Sequence, residues 1–126
     1  MIKKIITNDA QTLIKVINES ILEKKGEDIL ILDLQKTGSS VCDYFVICTG
    51  NSETHVNTLA QYIEHNVKKI LDDKVWQKEG YENKEWILLD YVNVMVHVFQ
   101  AKSRNFYRLE QLWADGEIVE IDLNNN

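Results

Sequence analysis

Between Asp28 and Asp33 stand four consecutive apolar side chains, Ile29, Leu30, Ile31 and Leu32. Successive side chains of a strand point to opposite faces, so a short unbroken aliphatic run bounded by charge fits a strand covered on both sides. A chain holding such a strand needs partner strands for its backbone and cover for two sheet faces. The rest of the sequence supplies them.

Residues 9–25 carry Leu13, Ile14, Val16, Ile17, Ile21 and Leu22 at helical spacing; Asn8 or Asp9 can cap the start and Gly26 can end it. A loop at residues 37–40 precedes a second strand at 43–48. The turn Thr49-Gly50-Asn51-Ser52 then leads into a helix at 53–71, whose apolar positions are Val56, Leu59, Ala60, Ile63, Val67, Ile70 and Leu71. Residues 75–79 read as a weak strand and 80–84 as a turn. The strand at 85–90 has Trp86 and Leu88 on one side, Ile87 and Leu89 on the other. In the strand at 94–99, Val94, Val96 and Val98 face one way and Met95, His97 and Phe99 the other. A helix at 101–114 would bury Phe106, Leu109, Leu112 and Trp113, and 117–123 would form a final short strand.

These loops are too short to separate domains, and 126 residues with 44% apolar side chains suit one core. The expected fold is a single α/β domain spanning 1–126, with a mixed sheet of about five strands flanked by helices. Short connections make antiparallel neighbours, while the helix at 53–71 permits a crossover. Proline is absent, which excludes proline-rich recognition segments.

The formal charge is −6. Direct binding of a polyanion needs clustered Lys and Arg, so nucleic acid is disfavoured as the main target and a basic protein favoured. The basic start at Lys3-Lys4 is followed by just two adjacent apolar residues, Ile5 and Ile6, before Thr7-Asn8-Asp9, where a secretory core needs ~7 to 15. The longest apolar run, 44–48, falls far below the ~20 that span a bilayer. The expectation is a cytoplasmic protein with no membrane segment. Cys42 and Cys48, six residues apart along one strand, are separated by roughly 20 Å, too far for a disulfide, and no Cys/His spacing suggests zinc.

Gly38, Ser39 and Asp43 invite an alternative reading as a nucleotide-binding or nucleotidyltransferase-like enzyme. That chemistry wants two convergent carboxylates, but the same-face neighbour of Asp43 is Phe45. The turn at 49–52 lacks a phosphate-binding glycine pattern and is explained by helix capping through Asn51 or Ser52. His55 in the first helical turn has no assignable nucleophile, and a loop hydrogen bond accounts for it better. Cys42 has no identifiable partner base. No catalytic residue, metal ligand or cofactor is assigned. The second half holds eight of the 11 aromatics, and a Trp86/Leu88/Asp90 row beside Met95/His97/Phe99 would make a docking surface for a basic partner if the valine face packs on helices.

Taken in order, the segments 43–47, Thr49-Gly50-Asn51-Ser52 with His55, Glu79-Gly80, Trp86-Ile87-Leu88-Leu89-Asp90-Tyr91, 94–99 and 104–113 resemble the Iojap family of ribosomal silencing factors. The resemblance covers about residues 9–114, leaving 115–126 as a short acidic extension. It implies a nucleotidyltransferase-like fold without the catalytic carboxylates and a non-enzymatic role. It further implies binding to large-subunit ribosomal protein uL14, steric blocking of subunit association with repression of translation, and a homodimer. By position, Trp86 and Asp90 match the partner-binding motif, as apolar anchor and charge contact. Tyr91, His97 and Phe99 belong to the adjoining motif. Arg104, Tyr107 and Glu110 match a motif better suited to holding the last helix. The family often has Gly-Asp where Val92-Asn93 stand here, so the turn loses its glycine and a charge.

Overall fold

The computed structural model describes residues 2–36, 42–108 and 117–119, and its elements follow from the two periodicities of the sequence. The order is α1 (Ile2–Glu23), β1 (Glu27–Asp33), β2 (Tyr44–Gly50), α2 (Glu53–Leu71), β3 (Gln77–Glu79), β4 (Trp86–Asp90), β5 (Val94–Gln100), α3 (Ala101–Tyr107) and β6 (Glu117–Val119). Among the described residues the sheet order is β3-β4-β5-β2-β1-β6. Five strands carry the expected sheet, and the three-residue β6 adds an antiparallel edge to β1.

Pairs joined by short connections are antiparallel: β1 with β2, β3 with β4, and β4 with β5. The crossover through α2 makes β5 parallel to β2, in register from Tyr44↔Val94 to Gly50↔Gln100. A mixed sheet results, as the connection lengths require.

Each strand divides its side chains between two apolar clusters. On the helix side, Ile31, Val46, Cys48, Ile87, Leu89, Val94, Val96 and Val98 pack against Leu13, Ile14, Ile17 and Ile21 of α1 and Val56, Leu59, Ile63 and Val67 of α2. On the opposite face, Leu32, Leu34, Cys42, Phe45, Ile47 and Phe99 form a second cluster edged by Leu30, Trp86 and Met95. The run at 29–32 is thus covered on both faces. At about 25 cal/mol per Å² of apolar surface, the helix-side cluster is the main source of burial energy. Cys42 and Cys48 are free and buried in opposite clusters, and burial pushes their thiols up to about 11 and about 12.

Several boundaries differ from the sequence reading. Helix α1 starts at Ile2, so Asn8 and Asp9 lie within the helix and not at its start; residues 2–7 contain no breaker that would stop the helix extending upstream. Its left-handed terminal residue is Lys25 (φ 63°), while Gly26 donates its N–H to Ile21 O at 2.8 Å. Gly26 is small because a Cβ there would collide with Ile21 Cγ2. Leu22 and Ile70, assigned to the buried stripes, are exposed. Strand β2 runs on through Thr49 and Gly50, and β3 is shorter than 75–79. Ser52 caps α2 by accepting from His55 N–H at 3.0 Å. Helix α3 stops at Tyr107 rather than 114: Arg108 turns left-handed (φ 50°) and its N–H closes on Arg104 O at 2.9 Å. Leu109, Leu112 and Trp113 lie outside the described residues, as do Gly38, Ser39 and Glu110.

Candidate functional site

The register of β4 on β5 builds the site. Trp86 is opposite Phe99, Leu88 opposite His97, and Asp90 opposite Met95, all on the sheet face away from α1 and α2. The Trp86 indole stacks on Phe99, with ring centroids 4.8 Å apart and planes inclined by 26°. Its Nε1–H donates to His97 Nδ1 at 3.1 Å. His97 in turn meets Phe45 edge-on at 4.5 Å.

An indole N–H can only donate, so Nδ1 of His97 accepts and its proton sits on Nε2. Burial disfavours the imidazolium and pushes the His97 pKa down to about 3. Nε2 is buried and has no hydrogen-bond partner among the described residues. Phe45 was not singled out for the site by sequence. It reaches His97 because β2 lies parallel to β5, a pairing no local pattern encodes.

The open part of this face is narrower than the pattern suggested. Trp86, Leu88 and Met95 are partly exposed, whereas Phe99 and His97 are buried beneath and beside the indole. Asp90 is only 7% exposed, and its Oδ1 accepts the Val92 N–H at 2.7 Å. Its carboxylate holds the β4–β5 turn instead of standing out as a surface charge. Tyr91 points the other way: it is 5% exposed within the helix-side cluster, and burial raises its pKa, aided by the charges of Glu64 and Asp73. Strand alternation explains the split, since Tyr91 follows Asp90 by one residue.

That turn has an unusual backbone. Val92 sits at φ 77° and is 63% exposed, in the place where the resemblance leads one to look for glycine. Asn93 O accepts from both Asp43 N–H and Tyr44 N–H, at 3.0 and 3.1 Å, tying the turn to the start of β2.

The remaining candidates are structural ties. His55 accepts the Asn51 N–H at Nδ1 (2.9 Å) and meets Lys24 O through Nε2 (2.8 Å), linking the entrance of α2 to the exit of α1. Arg104 donates to Asp28 O and, at 2.8 Å, to Thr49 Oγ1, fastening α3 to β1 and β2. A cleft of 590 Å³ between α2 and the β3–β4 hairpin is lined by Asn57, Gln61, Glu64, Lys78, Tyr81 and Lys84. Within it Glu64 already accepts from Tyr81 Oη–H at 2.6 Å and from Lys78 Nζ at 3.2 Å. Among the described residues, no three His, Cys, Asp or Glu side chains group as metal ligands. No helix among them is long and apolar enough to cross a membrane.

The arrangement is a half-buried indole set on a packed aromatic base at one side of a mixed α/β sheet. The chain belongs to the ribosomal silencing factor family, whose model, described as ribosomal silencing factor during starvation, matches residues 7–126. It is 35% identical over 116 residues to the ribosomal silencing factor of Bacillus subtilis, covering 92% of this chain and 97% of the relative. With the ribosomal silencing factor of Halalkalibacterium halodurans the identity is 36% over 115 residues, covering 89% and 94%. A crystal structure of a Chromobacterium violaceum protein superposes with a TM-score of 0.78 at 29% identity, covering 91% of this chain and 95% of that one. More distantly, the mouse protein named mitochondrial assembly of ribosomal large subunit protein 1 is 32% identical over 85 residues, 63% of this chain and 37% of the relative.

Proposed function

We propose that this ribosomal silencing factor binds large-subunit ribosomal protein uL14 through the Trp86 side of its sheet. By occupying that surface it prevents the small subunit from joining, and so represses translation without making or breaking a covalent bond. Family membership supports the ribosomal target, and the name of the mouse relative associates that protein with the large subunit. The formal charge of −6 suits a basic ribosomal protein. The observation that carries the reading is Trp86 itself: a partly exposed aromatic ring whose polar N–H is already spent inward on His97. The ring therefore meets a partner as an apolar anchor, the residue type that dominates interface energies. Leu88 and Met95 extend the contact. Asp90, His97 and Phe99 act from beneath, shaping the turn and the aromatic base. Tyr91 serves the helix-side packing that keeps β4 in place.

A density gradient with purified subunits tests this. Excess protein is expected to reduce the joined particle and comigrate with the large subunit. Trp86→Ala is expected to restore joining, through an affinity loss of ~2 kcal/mol, about thirtyfold. A wild-type protein found with no large subunit would show the reading to be wrong.

A further inference from the structure

We propose that His97 is a positioning residue for Trp86: its Nδ1 fixes the indole in the orientation used for docking, although the imidazole itself never touches the partner. The inference rests on the docking role just proposed for Trp86.

The geometry carries it. A tryptophan on a strand near the sheet periphery has two free side-chain torsions, and immobilising such a side chain on binding costs affinity. Here the ring is held before any partner arrives. Phe99 supports one face at 4.8 Å, and the 3.1 Å bond from Nε1–H to His97 Nδ1 fixes the rotation that stacking alone leaves open. His97 is rigid in its own right, 4% exposed and gripped edge-on by Phe45 at 4.5 Å. At that depth it is out of a partner's reach, so any effect on docking passes through the indole. Only the neutral ring protonated on Nε2 serves, because an imidazolium would aim an N–H at the indole N–H. Burial of the ring favours this neutral form. The protein keeps Nε2–H without a partner among the described residues, a cost that a residue needed only for filling space would not incur.

Two substitutions separate positioning from packing. His97→Leu keeps roughly the volume but removes the acceptor; His97→Asn places an amide oxygen near the position of Nδ1. The readouts are the Trp86 indole ¹H–¹⁵N resonance, assigned by its absence in Trp86→Phe, and affinity for purified large subunits. His97→Leu is expected to move the indole resonance upfield and weaken binding about tenfold, equivalent to ~1.4 kcal/mol. His97→Asn is expected to keep both the resonance and the affinity, the latter within about threefold of wild type. Wild-type affinity in His97→Leu, or failure of His97→Asn to restore both readouts, overturns the proposal. Should His97→Leu not fold, the ¹⁵N shifts of the wild-type imidazole decide: Nδ1 unprotonated supports it, and a proton on Nδ1 overturns it. If Trp86→Ala binds large subunits as well as wild type does, the docking role itself fails, and the indole measurement still reports whether the hydrogen bond exists.

Discussion

A buried neutral histidine makes stability depend on pH in one direction. Above the ordinary histidine value of 6.5 neither the folded nor the unfolded chain holds the extra proton at His97, and the full stability is present. As pH falls below 6.5 the unfolded chain takes up that proton, while the folded one, with a value of about 3, does not. Folding then loses up to about 1.4 kcal/mol per pH unit, or about 2 kcal/mol between roughly pH 7.5 and pH 5. Urea midpoints at the two pH values are expected to shift accordingly, and His97→Asn to remove most of that difference. The face of β5 that holds His97 was legible from alternation, since the valines at 94, 96 and 98 define the opposite one. Its contact with Phe45 was not, because it depends on a parallel pairing between distant strands. Asp90 misled for a related reason. A carboxylate at a strand end reads as surface charge, and nothing local reveals that it folds back onto the Val92 N–H.

At the scale of elements, the β4–β5 turn carries the clearest conflict between side chain and backbone. A β-branched residue at φ 77° pays a steric cost that glycine does not, of the order of 1–2 kcal/mol, set against the ~0.5–1 kcal/mol by which glycine loosens the unfolded chain. Val92 is exposed, so no core packing is lost on replacing it. Val92→Gly is therefore expected to stabilise the fold by about 1 kcal/mol, read as a rise of a few degrees in thermal midpoint. The departure was visible in the sequence as a missing glycine; the strained angle was not. Helix α2 was legible almost to the residue, because its apolar stripe and its serine cap agree. Helix α3 was overextended, since its apolar spacing continues past Tyr107 while the backbone closes at Arg108 without a glycine or proline to announce it.

For the molecule as a whole, the docking proposed above would draw on the smaller of the two clusters, and most of the packing lies in the larger. The larger one binds both long helices to the sheet, and the smaller one seats the indole. Replacement of Trp86 at the edge of the smaller cluster should leave the fold intact, which is what makes it a usable probe. On the proposed docking, the net negative charge would act at longer range, raising the encounter rate with a basic partner while ions screen it. Association with large subunits is expected to slow about tenfold as salt rises from about 0.05 to 0.5 M. Trp86→Ala should show the same proportional slowing, because it removes contact and no charge; stopped-flow measurement of the two proteins checks this.

The parallel pairing of β2 with β5 also has a consequence for how the molecule is made. Tyr44 and Val94 are partners across 50 residues of chain, so the centre of the sheet cannot close until β5 has been synthesised. Until then β2 carries an open backbone edge, and the indole has neither Phe99 nor His97 to rest on. A nascent copy still emerging from the ribosome that makes it thus has an unsupported indole, and the surface proposed for docking is complete only once the last third of the polypeptide has been made.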